Sequence, residues 1–597
     1  MSATPPALPA PASLLAERNR TLRLLFCAAL AAILYLPALG RPALWEPDEG
    51  RYAEIAREMV LTHDYVTPRD NWVRYFEKPP LVYWAEALSI KLLGLTELAA
   101  RLPAAIASVA EVAVTAALGE AIFGPAAGVA AAMVLALSPL FFGFARFATV
   151  DPVLALFVTA ALGAFLAAAH RPGFDDAVAR RWFLLSAAMA AAGTLAKGPV
   201  APVLTGAVGL AWLAVERRGR EIRRMPWLRA IAIYFAIAAP WFVLVTRRNP
   251  EFLRFFVVHE HLERYLENAE HGWGPYFFVV VVIAGMWPWI AFVPAGVRQL
   301  MRAPDGGGGD GLGQSARGFS ARSSLRFLLW WFGIILVFFS IPRAKLGSYI
   351  LPALPPLAIV AGYALTCLPS MDAAKVRRLF GTLVMLNLAG AAAIGMACGH
   401  YASQRESILL ADALVAMTIL TAAALAGLAF LSRGRRPGSP AAAVAALALG
   451  VVATLCLMVK ARADAQPLVS YRDLAHAIQP YLVPECRLAS YRHFVQSLPF
   501  YTGHREALVD YRGELAPFGR DADANASFVA TDAGLAALWR APGCAMLIVN
   551  RTDLGHVLTL LGPDATIVGC EGKKLALYNK AVAEPGPAGL CTSDFHP

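Results

Sequence analysis

A few charged side chains stand among long apolar runs in this sequence, and their types could serve acid–base chemistry and phosphate binding. Only 16% of the 597 residues are charged, and 58% are hydrophobic. Polar groups at membrane depth are costly, so clusters of them are the first places to look for function. The clusters are Asp48-Glu49, Glu77-Lys78, Asp151, Lys197, the segment 259–271 and the segment 343–349.

Asp48 opens a segment with helical spacing, PDEGRYAEIAREM. On a helix Asp48, Arg51 and Tyr52 share one face, because residues three and four positions apart lie above one another. A carboxylate on that face could act as a base or orient a nucleophile. The alternative, with about equal weight, is that Asp48 only caps the helix.

Two lysines and a second aspartate have positions that suit a bound phosphate. Lys78 lies in FEKPP, where Glu77 and two prolines fix its place, although a simple headgroup contact is the alternative. Lys197 precedes a Gly-Pro break, and broken backbone at that depth is tolerated mainly where it lines a cavity. Asp151 could hold a cation or an amine, or it could be an ordinary Asp-Pro helix start.

Two later segments add further candidates. SIPRAKLGSY supplies Arg343 and Lys345 as anion donors, with Tyr349 one turn on. In VVHEHLERYLENAEHGWG, His259 and His261 are two positions apart, so on a helix they cannot both bind one ion. No metal motif is present, and a structural or headgroup role for the histidines is the favoured interpretation.

The composition indicates a polytopic membrane protein, because soluble proteins carry about 25% charged residues. The net charge of +11 does not indicate nucleic-acid binding, since the excess Lys and Arg lies in short loops between apolar runs, as in a topology signal. The eight cysteines form no CxxC pair, so neither a zinc ribbon nor an iron–sulfur site is expected. The Gly-rich loop DGGGGDGLGQ lacks the GK[ST] ending of a P-loop.

The basic loops predict the topology. If all of them are cytoplasmic, the run 79–95 must lie in the interface rather than cross, and thirteen crossings remain. The N-terminus is then inside, and every charged cluster named above is outside. The predicted spans are 22–39, 100–122, 125–146, 151–169, 181–196, 199–215, 228–246, 275–297, 326–341, 346–368, 379–399, 408–431 and 441–459.

The chain is predicted to divide in two. Residues 1–459 form the membrane domain, in which 40–99 is the first outside loop. Residues 460–597 form a small soluble α/β domain outside, with short apolar runs RLASY, ALVDY, AMLIVN and KLALYN. Four of the eight cysteines lie there, and some of them could pair in an oxidising exterior.

The motifs PDEGRYAEIAREM, YFEKPPLVYW, LAKGP and RAKLGSYILP, with the Asp-Pro at 151, resemble the bacterial lipid A aminoarabinose transferases. These belong with the protein O-mannosyltransferases among the GT-C membrane glycosyltransferases. The resemblance covers about residues 20–365, and the PDE and FEKPP motifs together are specific. It implies an inner-membrane enzyme with a periplasmic site, an undecaprenyl-phosphate sugar donor, most plausibly carrying 4-amino-4-deoxy-L-arabinose, and a lipid A phosphate acceptor.

The resemblance also implies roles for residues of this chain. Asp48 and Asp151 are the expected catalytic residues. Glu77 with His261, or alternatively with His259, is the expected pair for a divalent metal ion. Lys78, Lys197 and Tyr349 are the donor-binding residues that the resemblance implies. The sequence itself adds Arg51, Tyr52, Arg264, Arg343 and Lys345 as expected donor-binding residues.

Other functions remain open from the sequence. RAKLGSY departs in detail from the family pattern, which leaves open a related GT-C transferase that moves another sugar to a lipid or protein hydroxyl. A lipid transporter would also have many spans, but it should show repeated halves and charges near the bilayer midplane, and no internal repeat is found. A scaffold with an anchoring membrane domain leaves the clustered outside charges unexplained.

Overall fold

The computed structural model describes residues 11–169, 176–263, 273–302, 320–400, 404–432, 439–511, 513–518, 527–562 and 565–580. In the described part of the first 464 residues, the regular elements are helices and one two-strand hairpin. Their α-helices are Pro11–Tyr35, Asp48–Thr62, Leu81–Leu93, Glu97–Phe123, Pro125–Ala136, Pro139–Ala145, Asp151–Ala169, Ala177–Lys197, Val200–Val215, Gly219–Ile222, Trp227–Arg248, Phe252–Arg254, Phe277–Gly285, Val293–Arg302, Ala321–Ser340, Leu354–Cys367, Ala373–His400, Gln404–Ser432 and Pro440–Asp464. A π-helix covers Phe255–Glu263, and 3-10 helices cover Trp289–Phe292, Gly347–Ala353 and Leu368–Ser370.

Each predicted span falls on a helix or a broken pair of helices, but the count of thirteen crossings is not confirmed. Among the described residues, eight helices are long and apolar enough to cross a membrane, and ten if each bent pair is one span. The pairs bend by 69° between 136 and 139 and by 95° between 285 and 289. Val200–Val215 falls short because it has only 16 residues.

Small residues let the helices approach one another closely. A Cβ added to Gly119 would lie 3.0 Å from the Cα atom of Gly128, and one added to Gly362 would lie 2.5 Å from the backbone nitrogen of Ala131. Association of membrane helices relies on such contacts because the surrounding lipid removes most of the hydrophobic driving force. The helices Glu97–Phe123, Pro125–Ala136 and Leu354–Cys367 therefore form a tight centre for the bundle.

The segment predicted to lie in the interface forms the helix Leu81–Leu93, which has 13 residues and is not among the candidate spans. It packs against the helices Asp48–Thr62 and Glu97–Phe123. Its Glu86 is buried rather than facing an interface, and Lys91 lies over the Tyr65 ring. Between these helices a hairpin of β1 (Arg69–Asp70) and β2 (Val73–Arg74) turns at two residues with positive φ, 52° and 66°.

The C-terminal part is an α/β sheet domain, as predicted. Its strands are β3 (Arg487–Tyr491), β4 (Glu506–Val509), β5 (Phe528–Val529), β6 (Ala545–Asn550), β7 (Thr566–Glu571) and β8 (Lys574–Tyr578), in the order β5-β4-β3-β6-β8-β7. Strands β3 to β6 are parallel, and β7 and β8 are antiparallel to their neighbours. The helices are Gln466–Val469, Arg472–Ile478, Leu498–Thr502, Asp532–Arg540 and Leu554–Leu561, with 3-10 turns Gln479–Tyr481, Gly513–Phe518 and Arg551–Asp553.

The four apolar runs singled out in the sequence fall on β3, β4, β6 and β8. Cys486 and Cys544 form a disulfide beside β3 and β6, a pairing for which the sequence had left the partners open. The helix Pro440–Asp464 continues past residue 459, so the division at 459/460 stays a prediction.

The C-terminal sheet domain contacts the first loop, residues 40–99, through hydrogen bonds. The carboxylate of Glu46 accepts hydrogen bonds from the backbone nitrogens of Gln496, at 2.9 Å, and Ser497, at 2.8 Å. The side chain of Asn71 pairs with the backbone of Glu506, donating to its carbonyl at 2.7 Å and accepting from its nitrogen at 2.9 Å. All these bonds are at least partly buried, so they fix the domain over the loop.

Candidate active site

Asp48 is the first residue of the helix Asp48–Thr62, but it does not cap it. The N-cap position is Pro47, and no side-chain cap bond is present there. The Asp48 carboxylate is about a third exposed, at 32%, and its closest cation is the Arg51 guanidinium at 3.5 Å. A carboxylate in this setting is free to act on a substrate, which favours the functional interpretation over capping.

Arg51 is the centre of a buried polar group. Its guanidinium contacts the Glu514 carboxylate at 2.8 Å and the Tyr75 hydroxyl at 3.3 Å. Burial opposes the charged form, but Tyr75, Glu514 and the other nearby acids outweigh it, so the pKa of Arg51 is raised. Arg51 therefore remains a fixed positive charge beside Asp48.

Tyr52 follows Asp48 on the same helix face, as the spacing predicted. It is 6% exposed, and its ring lies 5.8 Å from that of Tyr83. Burial, and then the charge of Asp48, raises the pKa of the Tyr52 hydroxyl well above its ordinary value. Tyr52 is thus a neutral hydrogen-bonding group rather than a base.

Lys78 lies between two carboxylates. Its ammonium is 2.6 Å from a carboxylate oxygen of Glu260 and 3.7 Å from one of Glu77. Glu260 comes from the π-helix Phe255–Glu263, so this ion pair ties that segment to the FEKPP motif. The two acids hold the Lys78 ammonium in one place before any substrate arrives.

Asp151 and Lys197 form the second ion pair. Asp151 begins the helix Asp151–Ala169, Lys197 ends the helix Ala177–Lys197, and the ammonium contacts the Asp151 carboxylate directly. The same ammonium lies 3.8 Å from the centre of the Tyr349 ring. A cation between a carboxylate and an aromatic face is attracted by both.

Electrostatic contacts join these groups into one site. The charges of Lys78 and Asp48 both act on Lys197. Asp151 acts on Tyr52, and Glu77 acts on Arg51. The structure therefore brings together eight of the residues singled out in the sequence, which are Asp48, Arg51, Tyr52, Glu77, Lys78, Asp151, Lys197 and Tyr349.

Arg343 and Lys345 line a neighbouring cleft of about 630 Å³ together with Trp273 and Ser340. The Lys345 ammonium donates to the backbone carbonyls of Trp273, at 3.1 Å, and Pro342. A second, almost wholly apolar cleft shares Val337 and Ile341 with it and continues along the helix Ala321–Ser340. These two cations therefore lie at the head of a lipid-facing groove.

The predicted metal pair and one predicted donor ligand cannot be placed. Arg264 and the side chains of His259 and His261 lie outside the described residues. Within the described part of the chain, no group of three or more His, Cys, Asp or Glu side chains is arranged to hold a metal ion. The Lys78 ammonium occupies the position near Glu77 and Glu260, so these two carboxylates are paired with a cation of the chain itself.

Three contributors were missed in the sequence. Glu260 lies in a segment noted only for its histidines. Tyr75 precedes the FEKPP motif and contacts Arg51. Glu514 comes from the C-terminal domain, far from every motif, and no sequence signal connects it with Arg51.

Glu49, next to Asp48, has a structural role. It is fully buried, with bonds of 2.7 Å to the guanidinium groups of Arg101 and Arg462. Burial alone would raise the pKa of Glu49, but the two arginines lower it to about 2. Glu49 is therefore a buried partner of the two arginines and not a group that a substrate could reach.

Comparisons with known proteins agree with this architecture. Residues 77–244 match the family described as dolichyl-phosphate-mannose-protein mannosyltransferase, and residues 474–569 match the aminoarabinose transferase C-terminal domain. The crystal structure of ArnT from Cupriavidus metallidurans bound to undecaprenyl phosphate superposes with a TM-score of 0.80 at 28% identity, covering 94% of this chain and 98% of that one. The fold is that of a multi-span membrane glycosyltransferase.

Proteins similar in sequence indicate which kind of glycosyltransferase this chain resembles. The undecaprenyl phosphate-alpha-4-amino-4-deoxy-L-arabinose arabinosyl transferase of Edwardsiella ictaluri is 31% identical over 371 residues, which are 62% of this chain and 64% of the relative. The Pseudomonas aeruginosa (strain UCBPP-PA14) protein of the same name is 32% identical over 58% of this chain and 60% of its own. The matched region is thus slightly less than two thirds of these relatives. The chain is therefore similar in sequence to the aminoarabinose transferases over this region and similar in fold to one of them over nearly its whole length.

Proposed function

We propose that the protein transfers 4-amino-4-deoxy-L-arabinose from undecaprenyl phosphate to a phosphate of lipid A, on the periplasmic face of the inner membrane. The observation that carries this proposal is the pair of lysines, Lys78 and Lys197, each held by acidic side chains in one site with Asp48. Fixed cations of this kind suit a reaction in which a phosphate leaves. The donor is the one that the names of the similar transferases give, and the lipid A acceptor is the one that the resemblance of the sequence motifs implies.

Lys78 and Lys197 would act on the leaving phosphate. The bond between the anomeric carbon of the sugar and the donor phosphate oxygen breaks, and undecaprenyl phosphate leaves with one more negative charge. Preorganised cations stabilise that growing charge without reorganising during the reaction. Asp151 and Tyr349 keep the Lys197 ammonium in place for this role.

Asp48 would act on the acceptor side. A lipid A phosphate oxygen forms the new bond to the anomeric carbon, and the acceptor loses one negative charge as the bond forms. Because a phosphate oxygen is already anionic, strong deprotonation is not needed. Asp48 then orients the acceptor or the sugar amine, and Arg51 supplies the neighbouring positive charge.

The lipid-facing groove along the helix Ala321–Ser340 suits a substrate with long acyl or prenyl chains. Its walls are almost wholly apolar, and Arg343 and Lys345 lie at its head. An anionic lipid could therefore place its phosphate near the site while its chains stay in the membrane. A site at the membrane boundary follows from the need to accept two lipids.

The test uses membranes containing the protein, radiolabelled undecaprenyl-phosphate aminoarabinose and extracted lipid A. Wild-type protein should give labelled lipid A, and Asp48→Asn should reduce transfer by about 100-fold, the size of effect expected when a reacting group is no longer held in position. Glu485→Gln, at an exposed position of the C-terminal domain, is the matched control and should leave transfer unchanged.

Two outcomes would contradict the proposal. Retained turnover in Asp48→Asn would remove that carboxylate from the catalytic role. Movement of lipid across vesicles without a new glycosidic bond would instead indicate a transporter. Mass spectrometry of lipid A from cells with and without the gene identifies the sugar and the modified phosphate.

A further inference from the structure

A second cationic cleft lies apart from the candidate active site. It opens between the helix Val293–Arg302 and the start of the helix Ala373–His400, with a volume of about 580 Å³. None of the residues of the active site lines it. The charged residues of the cleft are Arg298, Arg302, Asp372, Lys375 and Arg378.

The cleft has an excess of positive charge. Arg298, Arg302, Lys375 and Arg378 are all exposed, and none forms an ion pair of 4.0 Å or less with another described residue. The one carboxylate, Asp372, accepts the backbone nitrogens of Ala374 at 2.7 Å and Lys375 at 3.3 Å. These bonds lower the pKa of Asp372, so it stays charged but serves mainly as a helix start.

The apolar residues on one wall of the cleft indicate that its ligand is a lipid of the membrane. Ala291, Pro294, Ala295 and Leu379 line it on the side of the bundle, and Arg298 and Arg302 lie further along the same helix. Both helices belong to segments apolar enough to cross a membrane, so the cleft lies at a helix end, where lipid headgroups are found. The positive-inside rule places both basic loops in the cytoplasm, opposite to the candidate active site.

We propose that this cleft binds the headgroup of an anionic phospholipid with two phosphate groups from the cytoplasmic leaflet. Four cations against one carboxylate leave three positive charges, which two phosphodiesters would largely neutralise. The apolar wall contacts the first carbons of the acyl chains, whereas a soluble anion would leave that wall without a partner. The lipid would clamp the bent segment Phe277–Arg302 to the helix Ala373–His400.

The experiment uses the full-length protein in detergent and measures binding of fluorescent cardiolipin, a phospholipid with two phosphates, at several salt concentrations. Wild-type protein should bind cardiolipin at least tenfold more tightly than phosphatidylglycerol, which has one phosphate. The triple variant R298Q/K375Q/R378Q should lose tenfold or more of the cardiolipin affinity. The matched control R220Q/R223Q/R229Q removes the same charge from exposed positions of another basic loop and should lose less than twofold.

Three results would overturn the proposal. An equal loss in both triple variants would indicate general charge attraction rather than this cleft. Competition by inorganic pyrophosphate as effective as that by cardiolipin would indicate a soluble anion site. Equal wild-type affinity for cardiolipin and phosphatidylglycerol would contradict the match of two phosphates, and this measurement needs no variant to fold.

Discussion

Asp48 and Glu49 are neighbours in the chain, yet their side chains meet opposite surroundings. Glu49 is fully buried between Arg101 and Arg462, while Asp48 is partly open beside Arg51. Adjacent residues of a helix point about 100° apart, so one faces the bundle and the other the pocket. A carboxylate held by two arginines cannot accept a substrate group, which leaves Asp48 as the reactive member of the pair.

Glu514 holds the Arg51 guanidinium in position, so replacing Glu514 should slow sugar transfer. Glu514→Gln removes the 2.8 Å ion pair, so the guanidinium should shift towards Asp48. Transfer should fall about 10- to 100-fold, because small displacements of reacting groups have effects of that size. Steady-state kinetics with the radiolabelled donor measure this change, and kcat should fall more than the affinity for donor.

Partial rescue separates positioning from folding. Glu514→Asp keeps the charge and should retain more activity than Glu514→Gln, while both variants unfold at the wild-type temperature. If Glu514→Gln matches wild type in kcat, the C-terminal domain does not act on Arg51.

The helix Asp48–Thr62 packs so closely against the C-terminal domain that position 50 has room only for glycine. A Cβ at this position would lie 2.6 Å from the backbone nitrogen of Ser497. Gly50→Ala should therefore push the helix Asp48–Thr62 and the C-terminal domain apart, lowering both the unfolding temperature and the rate of transfer. Gly206→Ala, in a helix where an added Cβ meets nothing within 4 Å, is the control.

The two glycine variants should differ in stability, because only Gly50→Ala introduces a clash. Gly206→Ala should leave stability unchanged or raise it by roughly 0.5–1 kcal/mol, because alanine is the better helix former. Thermal unfolding of the purified proteins measures both. Equal stability of Gly50→Ala and wild type would mean that the two elements are not in close contact.

Glu506, at the start of β4, makes the C-terminal domain sensitive to pH. Burial raises the pKa of Glu506 from 4.5 to about 8. Between these pH values the folded protein keeps a proton that the unfolded chain has released, so the stabilising contribution is full below pH 4.5 and is lost as the pH rises through 8. Glu506→Gln, which resembles the protonated acid, should remove this dependence.

Unfolding temperatures of wild type and Glu506→Gln, compared from pH 5 to pH 8.5, test this assignment. The difference between the two proteins isolates Glu506 from other titrating groups. The wild type should lose stability relative to the variant as the pH rises. A constant difference across the range would contradict the raised pKa.

The elements were more predictable than their contacts. The apolar runs RLASY and AMLIVN became β3 and β6 because strands inside a parallel sheet are buried on both faces, so that each one reads as a short continuous apolar run. The helices of the bundle were found for the same reason, although broken pairs made the span count uncertain. Arg51 and Glu514 are far apart in the sequence, and hydrophobic periodicity carries no information about which distant residues meet. Their ion pair could therefore not be predicted.

At the scale of the whole molecule, the predicted orientation places the two charged clefts on opposite faces. Single cysteines at Arg540 and Arg220 test it, in a protein whose four cysteines outside the C-terminal domain, Cys27, Cys367, Cys398 and Cys456, are replaced by serine. In intact cells a membrane-impermeant maleimide should label Arg540→Cys, and it should label Arg220→Cys only after the inner membrane is opened. Labelling of both in intact cells would overturn the topology.

The seating of Ser497 and Glu514 on the first loop has a consequence for biogenesis. Both residues are synthesised after the last membrane helix, Pro440–Asp464, so a nascent chain inserted up to that point still lacks one partner of Arg51. A chain that stalls before this segment is made should therefore transfer sugar more slowly than the full chain, because its Arg51 lacks the Glu514 carboxylate.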